Sequence, residues 1–249
     1  MQPTGNTILI TGGGSGIGRG LAEAFHAKGN QVIISGRRQS ALDDVTAANP
    51  GMVAFTVDMT DPASIFDLAA RVTAAYPALN AVIHNAGIMV DEDMPGGDFL
   101  QIAEDTIATN LLGPIRLTAA LLPHLQAQAQ ATILTVSSGL AFVPKASTPT
   151  YSATKAAIHS WTQSLRYQLR NTAIDVLEIA PPYVQTYLQG ERQANDPNAM
   201  PLADYLAETM ELLSGEPENG EVLVQRVHRQ RFAEQTGNAK AVFNFVNPA

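Results

Sequence analysis

The chain has no cysteine. Disulfide staples, thiolate metal sites and a cysteine nucleophile are therefore excluded. A reducing compartment fits that lack. Positive charge is scarce: 15 Lys and Arg stand against 23 Asp and Glu, a formal net charge of -8. A surface of that sign repels nucleic-acid phosphates and anionic lipid, so neither is expected as a partner. No apolar run approaches the ~20 residues that cross a bilayer. The stretch from Met1 to Asn6 has no basic segment leading into a long apolar one. A soluble, uncleaved, cytoplasmic protein is expected. Repeats, low-complexity tracts and linkers are also lacking.

What is present is a chain of 249 residues, 45% apolar and 15% charged. That suits one large globular domain. Short β-rich runs alternate with helical patterns. Strands are predicted at Thr7–Thr11, Gln31–Ser35, Val53–Val57, Ala81–His84, Thr132–Val136, Ile174–Ile179 and, short and last, Glu221–Val224. Helices are predicted at Gly16–Lys28, Ser40–Ala48, Pro62–Tyr76 with Asp61 as N-cap, Phe99–Leu125 as one long element, Tyr151–Leu169 and Leu202–Leu213. This alternation predicts an α/β fold, a Rossmann-type doubly wound parallel sheet in a single three-layer α/β/α domain over residues 1–249. Ligands of such sheets bind beyond the carboxyl ends of the strands.

The first strand runs into Thr11-Gly12-Gly13-Gly14-Ser15-Gly16-Ile17-Gly18 and then a helix. Glycines permit the turn and let backbone N–H groups approach a pyrophosphate at the positive end of the helix. The place of the cluster, after a strand and before a helix, favours a bound dinucleotide over an ordinary turn. The second strand ends in Ser35-Gly36-Arg37-Arg38, with no carboxylate for a ribose 2′-hydroxyl. Two guanidinium groups suit a 2′-phosphate, and cations at a helix start oppose its macrodipole unless a ligand offsets them. NADP(H) is expected rather than NAD(H). No metal is expected.

Tyr151 and Lys155 lie four apart on a predicted helix and share a face. A free phenol has a pKa near ~10, and a nearby ammonium favours its ionised form. Such a Tyr can exchange a proton with a carbonyl or alcohol oxygen. At the end of the strand Thr132–Val136, either Ser137 or Ser138 could bond that oxygen.

Taken in order, the Thr11–Gly18 loop, Asn85-Ala86-Gly87, Asn110, Ser138 and Tyr151-Ser152-Ala153-Thr154-Lys155 resemble the short-chain dehydrogenase/reductase family. The resemblance extends from the N-terminus to about Gly190. It implies a catalytic tetrad of Asn110, Ser138, Tyr151 and Lys155, with Asn110 holding a water that contacts Lys155. It also implies that Asn85, Ala86 and Gly87 border the adenosine, that Asp58 contacts adenine with Met59 beside it, and that Pro181, Val184 and Thr186 meet the nicotinamide and phosphates. The implied activity is carbonyl reduction or alcohol oxidation on a small or medium substrate. The implied assembly is a homodimer or homotetramer. A nucleotide-binding regulator on the same fold is the alternative.

Two departures stand out. Pro181-Pro182-Tyr183-Val184-Gln185-Thr186 has Pro182 where the family usually has Gly, a form similar to the DltE-like branch. The C-terminal extension, at about 220–249, is atypical. Its basic residues Arg226, His228, Arg229 and Arg231 are expected to form a solvated helix face. Leu140, Phe142, Val143, Tyr183, Tyr187 and Leu188 flank the catalytic elements and are candidates for an apolar pocket.

Overall fold

Residues 2–248 are described in a computed structural model. All predicted strands form: β1 Thr7–Thr11, β2 Gln31–Gly36, β3 Val53–Thr56, β4 Leu79–His84, β5 Ala131–Val136, β6 Ile174–Ile179 and β7 Glu221–Val222. They make one sheet in the order β3-β2-β1-β4-β5-β6-β7, with every pairing parallel. The chain starts mid-sheet, steps outward to β3, then crosses back to lay β4 on the other side of β1. The loops after β1 and β4 diverge there and leave a crevice at the carboxyl ends.

Helices cover both faces. They are α1 Gly16–Ala27, α2 Gln39–Ala48, α3 Pro62–Ala75, α4 Leu100–Ile107, α5 Gly113–Gln126, α6 Pro149–Leu169, the one-turn α7 Glu191–Ala194, α8 Leu202–Ser214, the one-turn α9 His228–Arg231 and α10 Ala239–Val246. Strand residues alternate between two cores. Ile8 and Ile10 pack with Leu21 and Phe25 of α1 and Tyr205 of α8. Leu9 packs with Leu68 of α3 and Leu117 and Leu121 of α5. Asp61 caps α3 as expected, accepting from the Ala63 N–H at 2.9 Å, with Pro62 in the first turn.

Three expectations need correction. The long helix Phe99–Leu125 is divided by a π turn at Ala108–Leu112, between α4 and α5. Asn110, inside that turn, bonds both backbone groups of Ile88. Gly113, just after it, packs so closely on Met59 that a Cβ would lie 3.0 Å from the Met59 carbonyl oxygen. The extra residue in the turn lets both contacts form along one helix. The last strand stops at Val222, so the sheet edge there is two residues long. The basic C-terminal stretch is not simply solvated. Arg231 makes a bidentate ion pair, at 2.6 and 3.0 Å, with the buried carboxylate of Glu221 on β7. Its guanidinium also lies over the ring of Phe142. Among the described residues, no helix is long and apolar enough to cross a membrane.

Candidate active site

The glycine loop follows β1 and meets the end of β4. Gly12 has φ +70°, and a Cβ there would come within 2.8 Å of the Asn85 amide nitrogen and 2.9 Å of Ala86 Cα. Only glycine combines that backbone angle with so close an approach. Gly18 has no room for a Cβ against Asn85 and the Gly12 carbonyl, so its part is close packing of α1 on the strand end. Asn85 braces the two strand ends, donating to the carbonyl oxygens of Thr11 at 3.0 Å and Gly12 at 3.4 Å. Thr11 completes the brace: its hydroxyl oxygen accepts from the N–H groups of Asn85 and Ala86, both at 3.1 Å. Ser15, the N-cap of α1, makes no side-chain capping bond, so the first-turn N–H groups of α1 lack a side-chain partner there.

These groups open onto a cleft of about 450 Å³ that runs along the carboxyl ends of the strands. Gly12, Gly14, Ser15, Gly16 and Ile17 line one part of it. Arg37, Arg38 and Met59 line its outer end, and Asn85, Ala86 and Gly87 its floor. Pro181, Val184 and Thr186 close it from the loop after β6, and Ser138, Tyr151 and Lys155 stand at the inner end. Neither Arg37 nor Arg38 takes part in an ion pair among the described residues. A glycine cradle, a helix end with free donors and two unpaired guanidiniums are the chemistry that a phosphorylated dinucleotide needs.

Three predicted site residues lie outside the cleft lining: Gly18, Asp58 and Asn110. Asp58 is exposed and turned to its own loop, where it accepts from the N–H and hydroxyl of Thr60 at 2.9 and 2.8 Å. Those bonds, the N–H first, hold its carboxyl below the usual range, with help from the charge of Arg37. Asn110 is buried behind Gly87, and its side-chain amide is engaged with Ile88 N–H and C=O, both at 2.9 Å. It clamps the segment that follows Gly87.

The two serines both line the cleft but bond differently. The Ser137 hydroxyl turns into the sheet and donates to the Ile179 carbonyl oxygen at 3.4 Å. Ser138 turns to Tyr151. Burial pushes the Tyr151 phenol up to about 12, and the Ser138 hydroxyl draws it part-way back. Lys155 is also buried, which brings its pKa down to about 8 against the pull of the Glu178 carboxylate on β6. Its ammonium donates to the Val136 carbonyl oxygen at 2.8 Å and lies 5.5 Å from the centre of the Tyr151 ring. In the free protein burial sets the direction of the Tyr151 shift, and the phenol stays protonated.

Of the suggested pocket residues, Tyr187 and Leu188 line the cleft. Val143 packs instead with Ala233 and Val242 beneath α10, and Phe142 packs edge-on against His159. Tyr183 donates to Asp196 at 3.1 Å, and neither it nor Leu140 lines the cleft. Several contributors were not foreseen. Met89, Val90, Thr109, Pro182 and Gln193 also line the cleft. Glu92 accepts from the Thr150 N–H at 2.9 Å and the Thr150 hydroxyl at 2.7 Å. It thereby caps α6 one residue before Tyr151, where a negative charge suits the helix dipole. That pair is 58 residues apart in the chain, so no local signal could have revealed it.

A family profile described as short chain dehydrogenase matches residues 6–197. The chain belongs to the short-chain dehydrogenase family. It is 42% identical over 189 residues to the uncharacterized oxidoreductase DltE of Bacillus subtilis, covering 76% of this chain and 75% of that one. A short-chain dehydrogenase structure from Streptomyces avermitilis is 27% identical, with a TM-score of 0.84 and 97% of each chain covered. A Shigella flexneri structure assigned to the short chain dehydrogenases and complexed with NADP is 26% identical. It has a TM-score of 0.75 and covers 87% of this chain and 94% of that one. Short-chain dehydrogenases are oxidoreductases that use nicotinamide cofactors and act on small molecules. The profile stops at residue 197, short of α8, β7, α9 and α10.

Proposed function

We propose that this short-chain dehydrogenase is an NADP(H)-dependent carbonyl reductase, moving hydride between nicotinamide and a ketone, aldehyde or secondary alcohol. The observation that carries the reading is the meeting of Ser138, Tyr151 and Lys155 at one end of a cleft whose other end bears Arg37 and Arg38 without carboxylate partners. The Shigella relative that holds NADP supports the cofactor.

A nicotinamide held beside Val184 and Thr186 would supply hydride to the carbonyl carbon. Ser138 donates a hydrogen bond to the carbonyl oxygen and holds it beside Tyr151. Tyr151, protonated across the neutral range, passes its proton to that oxygen as charge develops on it. Lys155 is mostly charged at neutral pH and offsets the phenolate left behind. Asn110, through Ile88, holds the floor of the cleft in place. In the oxidative direction the same groups accept the alcohol proton.

The test is ketone-dependent loss of NADPH absorbance, measured across a panel of ketones and aldehydes with each cofactor. Turnover with NADPH in preference to NADH is expected. A protein that binds NADPH yet oxidises it with no member of the panel would point to the regulator instead. The reading also places the protein in the cytoplasm and as at least a homodimer. Leu100, Ile107 and Leu112 on the α4–α5 run, and Tyr167 on α6, leave apolar surface exposed. Light scattering at micromolar concentration should give at least twice the monomer mass; a monomer would refute the assembly.

A further inference from the structure

Beyond Tyr151, the cleft is walled by apolar side chains from two loops. Met89 and Val90 come from the segment after β4, and Pro182, Tyr187 and Leu188 from the segment after β6. Val90, Tyr187 and Leu188 are 43%, 66% and 40% exposed, three apolar side chains turned to solvent at the mouth of one cleft. The charged side chains among the lining residues are Arg37, Arg38 and Lys155. The arginines follow β2, on the far side of the crevice, and Lys155 is held by Val136. Gln193 faces the cleft with its amide engaged: it donates to the Val184 carbonyl oxygen and the Thr186 hydroxyl, and accepts from the Gln189 N–H.

Near the rim, exposed Arg192 makes no ion pair among the described residues, while Lys145 and Asp91 are tethered. Gln189 bridges them, accepting from the Lys145 ammonium at 3.3 Å and donating to Asp91 at 3.3 Å. Ser147 adds a bond to the same Asp91 oxygen at 2.9 Å. Neither Lys145 nor Asp91 lines the cleft. The bridge ties the loop after β4 and the loop before α6 to the turn at Tyr187–Gln189, and so holds Tyr187 and Leu188 over the apolar wall.

From this arrangement we infer that the substrate is uncharged, with one reacting carbonyl or hydroxyl on an aromatic or medium alkyl body. Ser138 and Tyr151 take the oxygen, and the body lies along Val90, Pro182, Tyr187 and Leu188. A carboxylate or phosphate placed against these side chains would be partly desolvated and would find no cation among them. The inference rests on the carbonyl-reductase reading.

Methyl benzoylformate and benzoylformate carry the same reacting ketone and differ in the charge beside it. With saturating NADPH, kcat/KM should favour the ester by about tenfold, a scale reduced from full burial of a charge because the wall is partly open to solvent. Because an ester also activates the ketone, binding to the NADPH-loaded Tyr151→Phe protein is measured as well, where no turnover intervenes. The ester should bind more tightly there too. Leu188→Arg places a cation on the wall and should narrow the gap severalfold, through KM for the acid. An acid that matches or beats the ester in rate and in binding overturns the inference while leaving the reductase reading intact. If no carbonyl compound is reduced, the reductase reading itself fails and the inference falls with it.

Discussion

The two ends of the cleft are built in different ways. The nucleotide end comes from short stretches at the tips of β1, β2 and β4, each a strand running into a turn. Its donors are mainly backbone N–H groups, and its glycines are required by close contacts that a Cβ would fill. The catalytic end is assembled from distant segments: Val90, Ser138, Tyr151, Pro182 and Leu188 meet there. The start of α6 is capped by Glu92. The loop ahead of α6 is clasped by Asn247, whose side chain binds Ala146 N–H and the Pro144 carbonyl oxygen at 2.6 and 3.0 Å. A backbone-built site should tolerate side-chain change poorly only at its glycines and its charged recognition pair. A side-chain-built site should fail at single atoms.

The largest effect is therefore expected at the catalytic end. Tyr151→Phe removes one oxygen and the transferable proton. It should lower kcat by at least ~100-fold, the lower range for general acid catalysis, while NADPH affinity stays near normal. Near-native turnover would remove Tyr151 from its assigned role. Weakened NADPH binding without loss of kcat would show that the two ends are not separable.

At the nucleotide end a smaller change is expected, in preference rather than rate. Charge-assisted bonds from Arg37 and Arg38 to a 2′-phosphate contribute about 1.5–3 kcal/mol each, enough for at least tenfold discrimination. Gly36→Asp combined with Arg37→Ala brings a carboxylate toward the phosphate and should erode or reverse the preference, read as kcat/KM for NADPH against NADH on one ketone. A native enzyme that uses NADH better than NADPH would contradict the role given to the arginines. The smallest effect is on salt. Both guanidiniums line the open end of the cleft, so the preference should weaken a few-fold at most as ionic strength rises. A preference that grows with salt would argue against a charge-based origin.

The same contrast separates what could be read in advance from what could not. Most strand and helix ends fell within one or two residues of expectation, because apolar periodicity and the Asp61-Pro62 start act locally. The spacing of Tyr151 and Lys155 on α6 was likewise visible, since a helix places residues four apart on one face. The π turn was not visible. It depends on Asn110 reaching Ile88 and on Gly113 reaching Met59, contacts with no periodic trace in the chain. Nor were the short helices α7 and α10, or the Arg231–Glu221 pair, where a basic residue in a polar stretch looks solvated until a buried carboxylate is placed beside it.

By itself the sequence determined the alternation of strands and helices, the glycine turn before α1, the absence of a carboxylate after β2 and the Tyr151–Lys155 face. Each is a matter of neighbours a few residues apart, where backbone geometry dictates who meets whom. Only the tertiary structure shows that the Ser137 hydroxyl bonds Ile179 while Ser138 lies by Tyr151, and that the Asn110 side chain bonds Ile88 behind the cleft lining. It also brought Val90, Pro182, Tyr187 and Leu188 to one cleft. The proton on Tyr151 belongs with these: its pKa, raised to about 12, follows from burial, and burial is a property of the packed chain rather than of any segment within it.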